Sequence, residues 1–310
     1  MRYFPNSTAK YHQHDLTSLG GELTVCKALE PPESPCRKAL VSPLTFGQHL
    51  YHFLNKLFPM ADVKNVVEIG GGMGYLMRGL LILDPGILAK MIDIPPFLLK
   101  RQKETLKSFQ ADYELNNIFT INPQTLSFFD LTVLNKNIGD FPALVVDQGK
   151  KGSDSPSEYF REKLEHFCRT YDLPADKGKN VNIGAMEVIE KLYLTGIKYT
   201  YLSEHSCETA VPDEIKLYLR FESAGVPEEI TLKGHQEFTI IFSYLRKIAR
   251  RLNYQTIRGS FADFLTLRMN DKIKMALSLT TPINDEQEII RQFVHDVYKY
   301  KYLILIRGRH

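Results

Sequence analysis

An acidic residue followed by three alternating glycines is the segment whose residue types and spacing favour ligand binding most strongly. Glycine adopts positive φ angles and has no Cβ, so a ligand can approach the backbone closely at such a turn. An apolar run precedes the turn and an amphipathic stretch over residues 75–83 follows it, which predicts a strand, a binding turn and a helix. The candidate ligand-binding residues are Glu68, Gly70, Gly71, Gly72, Gly74 and Tyr75.

The spacing of these glycines distinguishes between classes of ligand. A dinucleotide-binding turn has the pattern G-x-G-x-x-G, but Tyr75 occupies the third glycine position when the count starts at Gly70. The carboxylate of Glu68 would also repel a pyrophosphate. A phosphate-binding loop is excluded because residues 149–152 lack the GxxxxGK[ST] spacing. The pattern that fits, acidic-x-G-x-G-x-G, resembles motif I of the class I S-adenosylmethionine (SAM)-dependent methyltransferases. The alternative is a tight strand–helix turn with no ligand.

A second acidic residue supports this interpretation. Residues 89–94 predict a short strand in which Asp93 lies nineteen residues after Gly74. An acid about twenty residues after the glycine turn accepts hydrogen bonds from ribose hydroxyls in sites of this type. Asp93 and Ile94 are therefore predicted to bind the cofactor, the alternative being that Asp93 only caps a turn. The corner Asp93-Ile94-Pro95 is also similar to one in sugar O-methyltransferases.

A later apolar run, residues 143–146, predicts a central parallel strand buried on both faces. Its carboxyl end should lie beside the glycine turn, so Asp147 and Gln148 are further cofactor-binding candidates. The alternative is an ordinary strand-end turn. Residues 117–123 are a weaker strand candidate. Asp147-Gln148-Gly149-Lys150 stands where nucleic-acid amino-methylating relatives carry Asn/Asp-Pro-Pro-Tyr, which disfavours a nucleic-acid substrate.

The candidate catalytic residues follow another predicted strand, residues 197–202. His205 could accept a hydroxyl proton near neutral pH, and Glu204 lies next to it. The alternative for His205 is a loop histidine that bonds to the backbone. His235 is a weaker candidate for the same role.

Composition excludes several other classes of protein. The chain has 310 residues and a formal net charge of +3, too small to indicate nucleic-acid or membrane binding. No apolar run reaches transmembrane length, and the first residues lack the apolar core of an export signal. The four cysteines show no metal-binding spacing, so no metal is expected. These features predict a cytoplasmic enzyme and leave its oligomeric state open.

The resemblance implies a doubly wound α/β fold with a mostly parallel seven-stranded sheet, in which the last strand lies antiparallel near one edge. We expect residues 1–40 to form an N-terminal extension and residues 41–310 the SAM-dependent domain, with insertions near 203–237 and 261–284. The implied activity is methyl transfer from SAM, most simply to a small molecule.

Two alternatives to that activity stay open. Residues 234–253 and 263–265 faintly resemble MidA-type protein arginine methyltransferases, although the chain lacks their Asn-Glu turn after the fourth strand. The fold could also serve as a catalytically silent scaffold for interactions with other molecules.

Overall fold

The computed structural model describes residues 3–16, 24–146, 158–174, 179–219, 223–232, 234–279 and 284–308. The strands in these ranges are β1 (Tyr3–Asn6), β2 (Asn65–Ile69), β3 (Leu88–Asp93), β4 (Ala111–Leu115), β5 (Leu131–Asn135), β6 (Ala143–Val146), β7 (Tyr199–His205), β8 (Glu229–Thr231), β9 (Gln236–Phe238), β10 (Tyr254–Ser260) and β11 (Tyr300–Arg307). The α-helices are α1 (Ala9–His14), α2 (Val25–Ala28), α3 (Pro35–Lys38), α4 (Phe46–Leu54), α5 (Tyr75–Leu83), α6 (Pro96–Thr105), α7 (Pro123–Leu126), α8 (Glu158–Tyr171), α9 (Ile183–Thr195), α10 (Phe242–Arg251), α11 (Asp271–Ser278) and α12 (Asp285–Lys299).

Seven strands form one central sheet in the order β10-β11-β7-β5-β2-β3-β4. The pairs from β7 to β4 are parallel, whereas β11 runs antiparallel to both of its neighbours. The predicted fold class, including the antiparallel last strand near one edge, is confirmed. The carboxyl ends of the parallel strands meet at one edge of the sheet, where ligands bind in doubly wound folds.

Hydrophobic clusters cover both faces of this sheet. The adjacent residues Val66 and Val67 of β2 are both buried and belong to different clusters, as expected where successive side chains point to opposite faces. The strand is therefore apolar almost throughout, as is typical of a central parallel strand. Among the described residues, no helix has both the length and the apolar character needed to cross a membrane.

Helix α4 precedes β2 and leads into the central sheet. Thr45 begins it with a capping box in which its side chain accepts from the Gln48 amide, while the Gln48 side chain accepts from the Thr45 amide. α4 packs directly against α5 because glycines face each other: a Cβ on Gly79 would lie 2.7 Å from the Cα of Gly47. This contact holds the helix that begins at the glycine turn.

Two strand predictions were wrong. Residues 143–146 form β6, which pairs with β1 in a separate two-stranded antiparallel sheet, and the central position belongs to β5. The apolar run of β5 is shorter and ends in Asn135, so its sequence predicts a central strand less clearly than Ala143–Val146 does. The strand predicted at 117–123 is also absent. The strand in this region is β4, which lies earlier at Ala111–Leu115, and a turn after it leads into α7.

Candidate functional site

A cavity of about 1200 Å³ opens over the carboxyl ends of β2, β3, β5 and β7. Its floor includes the glycine turn and the ends of these strands, and its other walls come from α1, the turn after β5, and the β8–β9 region. Of the predicted site residues, those that line the cavity are Glu68, Gly70, Gly71, Gly72, Tyr75, Asp93, Ile94, Glu204 and His205. The sequence therefore predicted residues that the fold brings to one place.

The glycine turn needs its glycines for different reasons. Gly70, Gly72 and Gly74 have φ angles of +66°, +55° and +80°, a region that other residues rarely adopt. A Cβ on Gly71 would lie 2.5 Å from the Met91 side chain, so that position has no room for one. A Cβ on Gly72 would meet no protein atom within 4 Å. Gly72 therefore faces the open cavity, while Gly74 lies behind the turn.

Asp93 is tied to the glycine turn through one buried side chain. Gln102 donates from Nε2 both to Asp93 Oδ2, at 2.7 Å, and to the carbonyl oxygen of Gly72, at 3.0 Å. The backbone amide of Ile94 donates to the other Asp93 oxygen at 2.9 Å. Burial raises the pKa of Asp93 to about 7, although these hydrogen bonds act in the opposite direction. Gln102 is a positioning residue that the sequence did not indicate.

Glu68 is the second buried carboxylate of the site. It is 1% exposed, and its Oε2 has no hydrogen-bond partner among the described residues. Burial, together with the nearby Asp93 carboxylate, raises its pKa to about 8, although a backbone hydrogen bond at Met77 acts in the opposite direction. A buried carboxylate oxygen without a partner is costly unless a ligand supplies one. The two carboxylates thus favour a ligand that brings positive charge and hydrogen-bond donors.

The residues after β5 occupy the place that the sequence analysis gave to Asp147 and Gln148. Asn135, Lys136 and Asn137 line the cavity. Asn137 Nδ2 donates to the carbonyl oxygen of Ile69 at 2.5 Å, and its Oδ1 has no hydrogen-bond partner in the described part of the chain. The signal that could have found them is the polar run that ends the apolar strand at 131–134. Asp147 and Gln148 lie outside the described residues.

The turn after β4 contributes two further residues that sequence reasoning missed. Asn116 and Asn117 line the cavity, and the Asn116 amide donates to the Asp93 carbonyl oxygen at 3.1 Å. They were missed because the sequence analysis predicts a strand at 117–123 and not a turn.

Glu204 is buried beside the cavity, and both of its carboxylate oxygens accept hydrogen bonds from backbone amides. Its Oε2 accepts from the Gly139 amide at 3.1 Å and its Oε1 from the His205 amide at 2.9 Å. Burial raises its pKa to about 8. These contacts fix the turn after β5 against the end of β7, so we assign Glu204 a positioning role.

His205 ends β7 and stacks on Tyr300 with a ring-centroid distance of 3.8 Å. Its Nε2 lies 3.7 Å from Asp296 Oδ1, and neither ring nitrogen makes a hydrogen bond to a described residue. Burial lowers the pKa of His205, and Asp296 opposes that shift. The imidazole is therefore neutral near pH 7 and able to accept a proton.

The N-terminal extension closes the other end of the cavity. Asn6 donates to Gln236 Oε1 at 2.8 Å, Thr8 donates to Asp140 Oδ1 at 3.1 Å, and Tyr11 stacks on His235 with centroids 4.8 Å apart. We call residues 6–16, 229–232 and 234–238 together the roof.

His12 and His235, both in the roof, lie close to the carboxylate of Asp140. Burial, together with the neighbouring His235, lowers the pKa of His12 to about 4.

The chain was compared with known proteins. No family model matches it, and no curated protein matches it. It is similar to the solved structure of an uncharacterized ACR protein from Burkholderia thailandensis, with a TM-score of 0.56, 14% identity, and coverage of 99% of this chain and 88% of that one.

Two further solved structures are more distant. The plantazolicin methyltransferase BpumL in complex with SAH gives a TM-score of 0.47 at 11% identity, covering 98% of this chain and 95% of that one. An O-methyltransferase family protein from Burkholderia thailandensis gives 0.43 at 12% identity, covering 84% and 56% respectively. At these identities the similarity concerns the fold alone, and the structure of the ACR protein agrees with the doubly wound α/β fold predicted from the sequence.

Proposed function

We propose that this chain is a SAM-dependent methyltransferase that acts on a small molecule. The observation that carries the proposal is the pair of buried carboxylates, Glu68 and Asp93, beside a glycine turn that opens onto the cavity. Their raised pKa values mean that ionising them in this buried place is unfavourable. A cationic ligand with ribose hydroxyls would offset that cost. NAD would instead bring a pyrophosphate towards both acids.

The chain's own residues fit such a ligand. Asp93 would accept from ribose hydroxyls, and Ile94 offers an apolar contact at the same strand end. Glu68 and Asn137 each present a buried oxygen without a partner among the described residues, which suits an ammonium donor. Asn116 and Asn117 line the side of the cavity next to Asp93 and could bind the polar edge of a base. Each group therefore supplies chemistry that SAM requires.

The protein's task in this reaction is alignment and the exclusion of water. When bound, SAM supplies a methyl group on a positively charged sulfur. The roof forms part of the cavity wall, and the hydrogen bonds of Gln102 and Glu204 limit the movement of the floor. Holding donor and acceptor in a near-attack geometry accounts for much of the rate that such an enzyme needs.

His205 is the candidate base for a hydroxyl acceptor. Its ring lines the cavity, its nitrogens have no hydrogen-bond partner in the described ranges, and Asp296 lies within reach to stabilise the imidazolium. Proton removal by a positioned histidine is worth about 100- to 10,000-fold in rate. A hydroxyl acceptor needs such a base, whereas an amine that arrives uncharged does not. The presence of His205 therefore favours methylation of oxygen.

A small acceptor is favoured because the roof covers the cavity. Contacts of Asn6 with Gln236 and of Thr8 with Asp140 fasten this cover on two sides. A folded protein or a nucleic-acid duplex would have to displace it, whereas a small molecule fits beneath it. The cavity of about 1200 Å³ is larger than the space one typical ligand needs.

Isothermal titration calorimetry tests the cofactor assignment directly. We expect binding of SAM and of its demethylated product, and no binding of NAD. A screen of hydroxylated small molecules, peptides and RNA for release of S-adenosylhomocysteine then tests the acceptor. Binding of NAD without SAM would overturn the cofactor assignment, and product release only with peptides would overturn the small-molecule acceptor.

A further inference from the structure

Side chains of the types that bind metal ions meet where the roof contacts the turn after β5. One ligand atom from each of His12, Asp140 and His235 lies within 4.8 Å of the other two. Nε2 of His12 is 3.7 Å from Asp140 Oδ1, and Nε2 of His235 is 3.8 Å from the same oxygen. Glu237 lies next to this group, with its Oε1 3.6 Å from His235 Nε2. Two imidazoles and one carboxylate thus converge, with a second carboxylate beside them.

These distances suit an ion better than direct hydrogen bonds. Separations of 3.6–3.8 Å are too long for a hydrogen bond. Two ligands at about 2.1 Å from one ion lie about 3.4 Å apart at a tetrahedral angle and about 3.0 Å apart at a right angle. Each of these three pairs would therefore have to close by roughly 0.2 to 0.8 Å.

The surroundings of the cluster support its ligands as a metal site's would. His235 is the most buried of them, with 9% of its side chain exposed. Tyr11 stacks on its ring and restricts its orientation. Thr8 donates to Asp140 Oδ1 and orients that carboxylate. Such outer contacts orient metal ligands in proteins.

We propose that His12, Asp140 and His235, with Glu237, bind one divalent transition-metal ion such as Zn²⁺, Mn²⁺ or Co²⁺. Imidazole with carboxylate is a ligand set that these ions accept. The cluster joins helix α1, the turn after β5 and the strand β9. An ion there would connect three segments that are distant in the sequence.

The ion also narrows the class of acceptor, an inference that rests on the proposed methyl transfer. An ion that prefers six ligands keeps about two positions open when the protein fills four. An acceptor with a hydroxyl beside a second oxygen would fill both. The ion would lower the pKa of the bound hydroxyl, whose proton would pass to His205, the base proposed above, while the electron pair stays on oxygen. That oxygen takes the methyl group, and the carbon–sulfur bond electrons return to sulfur, giving a methyl ether and a neutral thioether.

The test titrates chelator-treated, full-length protein with ZnCl₂, MnCl₂ and CoCl₂ by calorimetry, and follows Co²⁺ by its visible absorption spectrum. We expect one ion per chain. His12→Ala, His235→Ala and Asp140→Asn should each weaken binding by at least about tenfold, since loss of a mere outer-shell partner costs that much. The matched control is His14→Ala, an exposed histidine on the same helix, which should bind as the parent does.

Absence of binding by all three ions, or binding that His12→Ala and His235→Ala leave unchanged, would overturn the metal site. SAM titrated into the same samples with chelator present separates the two proposals. SAM binding without metal binding leaves the methyltransferase proposal standing alone, and metal binding without SAM binding leaves the metal site alone. Circular dichroism of each variant establishes that it is folded.

Discussion

The floor of the cavity and its roof are built from the chain in different ways. On the floor, Gln102 reaches residues that are 30 and 9 positions away, Gly72 and Asp93. In the roof, Thr8 bonds to a residue 132 positions away and Asn6 to one 230 positions away. The floor therefore consists of local strand–turn–helix units, whereas the roof depends on segments that only the complete fold brings together.

This difference teaches where sequence patterns carry information about the site. Local units leave regular traces, such as alternating glycines and an acid at a fixed distance. Long-range assembly leaves none, because residues such as His12 and His235 have unremarkable neighbours in the sequence. We therefore expect substitutions in the floor to affect cofactor binding and substitutions near the roof to affect turnover.

The largest expected effect is at Gly72. Gly72→Val should reduce SAM binding below detection while the protein remains folded, because the new side chain would fill open space at the ligand's position and strain a φ of +55°. Calorimetry with SAM measures this. The matched control is Gly225→Val, an exposed glycine with a φ of +67° and no atom near its Cβ position. Parent-like SAM affinity in Gly72→Val would mean that the turn is only structural.

His205→Ala sharpens the comparison at the junction of floor and roof. We expect turnover to fall by about 100- to 10,000-fold, the usual cost of losing a general base, with SAM affinity nearly unchanged. The measurement is S-adenosylhomocysteine release once an acceptor is known, beside calorimetry with SAM. His166→Ala, an exposed histidine paired with Glu190, is the control. Unchanged turnover in His205→Ala would show that alignment alone drives the reaction.

Asp93 tests the hydrogen bonds of the floor. Asp93→Ala should weaken SAM binding by about 10- to 150-fold, equivalent to about 1.5–3 kcal/mol for one charge-assisted hydrogen bond. Asp93→Asn should lie between the parent and Asp93→Ala because an amide keeps one acceptor oxygen. The three affinities come from one calorimetric series. Equal values would place the ribose contact elsewhere.

The next prediction concerns the pH dependence of SAM binding. Burial raises the pKa of Glu68 to about 8 and that of Asp93 to about 7, so both acids are largely protonated at pH 6. A cationic ligand prefers them ionised, and SAM affinity should therefore rise between pH 6 and pH 8, by up to about tenfold per pH unit for each linked proton. Glu68→Gln cannot ionise and should show a shallower rise. A flat profile in the parent protein would contradict the role of these carboxylates.

Much of the floor could be predicted because its backbone conformation and buried groups require particular residue types at particular positions. The turn needs positive φ at Gly70, Gly72 and Gly74, and β3 ends in a buried acid beside that turn. Both features are visible as residue types at fixed spacing. The sheet was predictable for a similar reason, since strands such as β2 are buried on both faces and carry continuous apolar runs.

The errors have one cause, which is that an apolar run does not specify its partner. Residues 143–146 have the composition of a central strand, yet β6 pairs with the N-terminal strand instead. Because residues 143–146 were predicted as the central strand in place of β5, Asn135, Lys136 and Asn137 were missed. Asp147 and Gln148 became candidates instead. The histidine cluster was missed because its members are separated by more than two hundred residues in the chain, from His12 to His235.

The pairing of β1 with β6 has a consequence for the rate at which ligands can exchange. Four residue pairs join these strands, and the ribbon is separate from the seven-stranded sheet. A two-stranded ribbon is marginally stable by itself, so it can open at a free-energy cost well below that of global unfolding. Such local opening would release products while β2, β3 and β5 stay paired. Under the proposed function, β1 would then act as a latch, and its opening frequency would set an upper limit on the rate of turnover.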